Sequence, residues 1–222
     1  MPKLHPCDNT LAEYSAGSLE FAHSICVSAH LDYCADCRRK VAQFNTLGAE
    51  MLINQKQATT VNLTFDQLMA AIQAAPEIQY IRDEQNDREN AWASELPKVV
   101  QRLLPKQGKL KWKVASPSLR EAKLETGQNK SEVSLYKIRR GGNVAEHNHK
   151  GREVTLVLEG AFSDSVGTYN VGDYVVREAG EIHRPIATQD RDCLCLSVLD
   201  APLKLTGMMG ALVNPFLSFQ PR

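Results

Sequence analysis

Residues 26–40 read CVSAHLDYCADCRRK and set His30, Cys34 and Cys37 in an H-x3-C-x2-C spacing. That spacing gathers one imidazole and two thiols within one or two helical turns. Zinc takes four such nitrogen or sulfur donors in a tetrahedron, so a fourth is required. His5, Cys7, His23 and Cys26 are the candidates. Spacing alone favours Cys26 and His23, which precede His30 on one helix face, and leaves the choice open. Two other readings compete: a core histidine beside two packed thiols, and a thiol redox pair, although the βαβ context of a thioredoxin-like pair is missing. Farther along, HNHKGRE brings His147, His149 and Glu153 close together. In extended chain, residues of one parity share a face, so these three side chains converge if no bulge intervenes. The bland alternative is a set of histidines in a surface loop. Cys193 and Cys195, two apart in DCLCLSVL, fall on one face of an expected strand, either as core packing or as thiols open to an oxidant.

The elements that must position these groups fall into two kinds. Over the first ninety residues, the apolar spacing predicts a short helix in TLAEYSAG stopped by Gly17 and a second after a Ser18 cap. A third is expected from near Ala35 to about Ile53, with Arg38, Arg39 and Lys40 at its exposed start. TFDQLMAAIQAA opens with Thr64 and Gln67 in capping-box register and stops before Pro76, giving a fourth. A charged stretch containing RDEQNDREN follows and reads as a linker, ending in a helical turn or two in LPKVVQRLL, which suits a docking segment. From Lys109 the pattern changes to short β-rich runs (KLKWKV, EVSLYKIRR, REVTLVLEG, DYVVREAG, CLCLSVLD) separated by turn residues, as in an antiparallel sandwich or barrel. Two modules are expected, with a single α+β domain as the alternative. Few large apolar residues mark the helices, so a metal contributing on the order of 10 kcal/mol would compensate for a thin core.

Composition excludes several functions. The 222 residues carry 26 Lys/Arg and 26 Asp/Glu, but residues 1–90 hold 7 against 12 and the remainder 19 against 14. An acidic front half argues against direct nucleic-acid binding, which needs clustered basic residues, and favours a protein partner. No run of 18 apolar residues can span a bilayer, and MPKLHPCDNT lacks the apolar core of a secretory signal. A reducing cytoplasm is therefore expected, where the six cysteines serve as thiols or ligands. There is no P-loop, dinucleotide fingerprint or nucleophile elbow.

Longer stretches carry a resemblance. His5-Pro6, LAEYSAGSL at 11–19 and HLDYCADCRR at 30–39 resemble the zinc-binding domain of ChrR-type anti-sigma factors. That resemblance implies His5, His30, Cys34 and Cys37 as zinc ligands, His5 displacing Cys26. GGNVAEHNHKGREVTLVLEG at 141–160 resembles the first motif of the cupin superfamily, through Gly141, His147, His149, Glu153 and Gly160. GDYVVREAGEIHRP resembles the second, through Gly172, Gly180 and His183, with Glu178 in place of the usual proline and no asparagine after the histidine. The implied second ligand set is His147, His149, Glu153 and His183. Three imidazoles and a carboxylate suit zinc, iron(II), manganese, nickel or copper; the ChrR resemblance favours zinc, hence two zinc sites, one per domain. It implies a four-helix zinc-binding domain at 1–85, a linker at 86–106 and an all-β cupin jelly-roll barrel at 107–222. The implied activity is that of a cytoplasmic, non-enzymatic anti-sigma factor. Its helical domain would sequester an extracytoplasmic-function sigma factor, and its cupin would answer a singlet-oxygen or peroxide signal. Whether free chains form a homodimer stays open. The rival expectation is a metal-dependent cupin enzyme, a dioxygenase or isomerase with a helical oligomerisation domain.

Overall fold

A computed structural model describes residues 1–54, 64–75, 91–104, 109–206 and 219–221. The helices are α1 (Asp8–Ser15), α2 (Phe21–Tyr33), α3 (Ala35–Ile53), α4 (Phe65–Ala74) and α5 (Lys98–Leu103), with a 3-10 turn at Ala91–Ala93. The start of α2 differs from expectation. Ser18 donates its hydroxyl to the Glu13 carbonyl and so belongs to the end of α1, while the Glu20 carboxylate accepts the amides of Ala22 and His23 and caps α2. A carboxylate suits that place because it meets both the orphan amides and the positive end of the helix dipole. The capping box of Thr64 and Gln67 forms as expected at α4. RDEQNDREN lies outside the described residues, but the end of the expected linker does not stay apart. α5 packs on α2 and buries Val100, with Leu96 and Leu104 on either side of the helix.

Twelve strands follow: β1 (Lys113–Ser116), β2 (Leu119–Lys123), β3 (Glu132–Ile138), β4 (His147–His149), β5 (Glu153–Glu159), β6 (Ala161–Ser163), β7 (Thr168–Asn170), β8 (Tyr174–Arg177), β9 (Ile182–His183), β10 (Ile186–Ala187), β11 (Cys193–Leu199) and β12 (Leu203–Leu205). A six-stranded sheet runs β1-β2-β3-β11-β5-β8, and two three-stranded sheets run β10-β6-β7 and β12-β4-β9. Every strand pair is antiparallel.

The centre of the large sheet, β3, β11 and β5, is buried on both faces, which is why β11 reads as an almost unbroken apolar run. Leu194, Leu196 and Val198 share one core with Val154, Leu156 and the buried face of α2, namely Ala22, Ile25, Cys26 and Ala29. Cys193, Cys195 and Val157 share a second core with Phe162, Tyr169 and Ala187 of the small sheets. The thin helical core anticipated from the sequence is thus thickened by the sheet, on which α2 lies across β5 and β11. α3 and α4 depart from this pattern. Beyond Cys37, α3 only half-buries Val41 and Phe44 against the core, and α4 buries none of its residues.

Gly160 turns the chain from β5 into β6 with φ +66°, and a Cβ there would run into the Asp192 carbonyl. Backbone conformation and space both demand glycine. Gly160→Ala should therefore lower folding stability by about 2–4 kcal/mol, read from denaturant unfolding.

Candidate metal centres

The first cluster is built at the junction of α2 and α3. His30 sits on the last turn of α2, and Cys34 is at once the residue that ends α2 and the N-cap of α3, its Sγ accepting the Cys37 amide at 3.4 Å. A sharp helix–helix corner therefore turns three donors towards one point. The fourth is His5, from the extended segment before α1. Its Nδ1 lies 3.4 Å from Cys34 Sγ and 3.6 Å from Cys37 Sγ, and His30 Nε2 lies 3.3 Å from Cys37 Sγ. The donor atoms of His5, His30, Cys34 and Cys37 all fall within 4.8 Å of one another. A tetrahedral zinc site with bonds of about 2.0–2.3 Å has edges of about 3.3–3.8 Å, so the donor set fits that ion.

The candidates favoured by spacing alone do not join. Cys26 is fully buried in the α2–sheet core, where burial drives its thiol strongly upward in pKa. His23 Nε2 faces Asp200 Oδ1 at 2.8 Å instead. Both residues lie on the side of α2 that meets the sheet, which helical spacing cannot distinguish from a ligand face. Cys7 is exposed and pairs with Thr10. Around the cluster, burial lowers the pKa of His30, and burial together with the Cys34 sulfur pushes the Cys37 thiol up to about 12. The Cys37 thiol serves as a thiolate ligand only when a cation takes the place of its proton.

The second cluster joins both sides of the β part. His147 and His149 alternate on β4, His183 pairs opposite His147 from β9, and Glu153 opens β5 in the large sheet. The structure brings together the residues that the parity argument grouped, but by another route, because a loop at 150–152 separates β4 from β5 and the two strands lie in different sheets. His183 Nε2 lies 3.0 Å from both His147 Nε2 and His149 Nε2, and Glu153 Oε2 lies 3.3 Å from His149 Nε2 and 3.7 Å from His183 Nε2. His147 donates Nδ1–H to the Ala145 carbonyl at 2.8 Å, which turns its Nε2 lone pair inward. Three imidazole nitrogens converging on one carboxylate oxygen leave more lone pairs than protons can bridge, and a cation satisfies them. All four residues are buried. Burial lowers the pKa of His149, and it lowers that of His183 to about 4, the neighbouring imidazoles adding to burial and Glu153 opposing it.

Two residues around this cluster, Ser197 and Asp164, were not anticipated. Ser197 on β11 donates to Glu153 Oε1 at 2.8 Å and holds the carboxylate. Asp164 Oδ2 lies 3.5 Å from His183 Nδ1. Burial would raise the Asp164 carboxyl, but Arg177, the Val166 amide and the Tyr169 hydroxyl outweigh it and keep it below the usual carboxylate range. Glu178, the departure from the motif, pairs with Arg152 on the surface and costs the cluster nothing. Cys193 and Cys195 are both buried with their sulfurs 3.6 Å apart, and Cys195 lines a cavity of about 70 Å³ beside His147, Glu153 and His183.

The family described as the ChrR Cupin-like domain matches residues 100–201. The anti-sigma-E factor ChrR of Cereibacter sphaeroides is 32% identical over 213 residues, covering 96% of each chain. Among solved structures, that of Rhodobacter sphaeroides SigE in complex with the anti-sigma ChrR superposes with a TM-score of 0.70 at 26% identity, over 90% of this chain and 100% of that one. An RmlC-like cupin protein of Ralstonia eutropha aligns far more loosely, with a TM-score of 0.41 at 13% identity over 50% of this chain and 78% of its own. Identity of 32% with near-complete coverage of both chains takes in the helical and the β part alike, and so this chain belongs to the ChrR family of anti-sigma factors.

Proposed function

We propose that the chain is a zinc-binding anti-sigma factor that holds an extracytoplasmic-function sigma factor away from RNA polymerase in the cytoplasm. In this reading residues 1–85 form the sigma-holding module, residues 86–106 connect, and residues 107–222 form a cupin barrel. The barrel passes an oxidative signal, of singlet-oxygen or peroxide type, to the helices. Zinc is held by His5, His30, Cys34 and Cys37 in the helical module, and a second zinc by His147, His149, Glu153 and His183 in the cupin.

The observation that carries the reading is the bare apolar surface of α3 and α4. Met51, Leu52 and Ile53 at the end of α3 and Phe65, Leu68 and Ile72 of α4 are exposed, Ile53 at 81% and Phe65 at 74%. An amphipathic helix that buries none of its residues, as α4 does, and a helix end as apolar and bare as that of α3 call for a partner, and surfaces of this kind mark protein interaction sites. The relative whose solved complex spans nearly this whole chain has a sigma factor as its partner. The acidic balance of the first ninety residues suits basic sigma surfaces and disfavours nucleic acid. Without sigma, a second copy of the chain can cover the same face, giving a homodimer. A regulator is favoured over an enzyme because each cluster offers zinc a full set of four donors, whereas catalytic zinc keeps an open position. The cupin cluster suits sensing because His147, Glu153 and His183 line one cavity together with the buried Cys195 thiol, so a small oxidant admitted there would meet ligands and a sulfur at once.

Metal analysis of the purified full chain should give two zincs. His5→Ala should lose one of them, while Cys26→Ser should keep both; the reverse result would overturn the ligand set. Met51→Glu and Phe65→Glu should each weaken capture of the sigma factor at least tenfold while changing stability by no more than about 0.5 kcal/mol, since both side chains are exposed. Unchanged capture by both would remove the docking surface. The metal-free chain should also respond to acid. His183 has a pKa of about 4 when folded and an ordinary one, 6.5, when unfolded, so the unfolded chain binds the extra proton in between. Folding stability is therefore fully present above pH 6.5 and falls as the pH drops towards 4. Urea midpoints across that range check it.

A further inference from the structure

The helical metal cluster is not held by helices alone. Two of its four donors are set by the turn between β7 and β8, at Gly172 and Asp173. The Gly172 carbonyl receives His30 Nδ1–H at 2.7 Å. A carbonyl oxygen can only accept, so the proton sits on Nδ1 and the lone pair of Nε2 faces the thiols. Gly172 has φ +88°, and a Cβ there would stand 2.7 Å from Pro2 Cγ and 2.8 Å from Tyr33 Cβ. Both the N-terminal segment and the last residue of α2 therefore rest on this glycine.

Asp173, 1% exposed, fixes the other donor. Its Oδ1 accepts the amide of Lys3 and, at 3.0 Å, that of Leu4; its Oδ2 accepts the Asn170 amide at 2.8 Å and keeps the turn in shape. The Tyr174 amide donates to the Leu4 carbonyl at 3.1 Å. Residues 3 and 4 are thus pinned on the β part, and the next residue is His5. The Tyr174 ring meets His30 edge-on at 5.9 Å between centroids.

We propose that Gly172 and Asp173 are positioning residues for the helical metal centre, Gly172 by fixing the tautomer of His30 and Asp173 by holding the segment that carries His5. The β part thereby tightens metal binding at a centre to which it gives no ligand. The inference rests on the ligand set proposed above. Outer partners of this kind carry about 10–100-fold in metal affinity.

Cobalt(II) separates the two centres in the full-length chain, because only the centre with two thiolates gives sulfur-to-metal charge-transfer absorption. Asp173→Asn withdraws an acceptor from the turn. Lys3→Pro withdraws a single amide from Asp173 while leaving the hydrogen bonds within the turn and every ligand unaltered, so it reports even where Asp173→Asn perturbs folding. The charge-transfer centre should bind cobalt about 10–100-fold more weakly in Asp173→Asn and several-fold more weakly in Lys3→Pro, with cobalt binding at the His147, His149, Glu153 and His183 centre unchanged. Equal affinity of the thiolate centre in the parent chain and Lys3→Pro would overturn the proposal and leave the ligand set standing. Equal weakening at both centres would overturn it as well, since it would mark a general loss of stability. No charge-transfer band in the unsubstituted chain would overturn the ligand set, and this inference with it.

Discussion

The central strands of the six-stranded sheet must be covered on both faces, and that constraint organises the molecule. β11 alternates buried side chains to either side: Leu194, Leu196 and Val198 one way, Cys193, Cys195 and the polar Ser197 the other. The small sheets close the second face and bring His147 and His183 over Glu153. The first face is closed by α2. Because α2 is fixed there by its buried Ala22, Ile25, Cys26 and Ala29, its last turn reaches the β7–β8 turn, and His30 meets the Gly172 carbonyl. Side-chain packing on the sheet thus decides where a metal donor stands.

Much of the candidate site was legible in the sequence where a local element sets the geometry. His30, Cys34 and Cys37 converge because one residue ends α2 and begins α3, and a helix–cap–helix corner is written in neighbouring residues. His147 and His149 share a face by strand alternation. What spacing could not supply was tertiary. His5 reaches the cluster from a segment pinned by Asp173, far along the chain, and only family resemblance pointed to it. Cys26 and His23 have the right period for ligands and the wrong side of the helix, since helical periodicity defines a face without saying what it meets. The strands were legible from their β-rich runs, whereas the cover that α2 gives them was not. An all-apolar helix face reads the same against helices as against a sheet.

The two clusters set different acid–base problems for an incoming cation. At the α2–α3 corner, burial and the neighbouring sulfur hold the Cys37 thiol protonated up to about pH 12, so metal entry must expel protons and affinity depends steeply on pH. Among the cupin imidazoles, burial already keeps His149 and His183 neutral, which is the ligand form. That centre is preorganised, and competing protons matter only in acid.

Strand β5 joins these two chemistries. Glu153 at its start contributes to the cupin cluster, and four residues later the Val157 carbonyl accepts the Gly172 amide at 2.8 Å while its amide donates to the Asp173 carbonyl at 3.2 Å. Gly172 in turn bonds His30. A displacement of Glu153 along the strand direction therefore has a short, fully hydrogen-bonded route to a donor of the helical cluster. From there Cys34 and Cys37 lead directly into α3, whose far end carries the exposed Met51, Leu52 and Ile53. Contact along such a route is not yet coupling, which requires an element with two arrangements whose balance both sites bias. The N-terminal segment is the part of the route best suited to that role. It is held on the β part by a few backbone hydrogen bonds rather than by a core, and it carries His5, the only exposed member of either cluster.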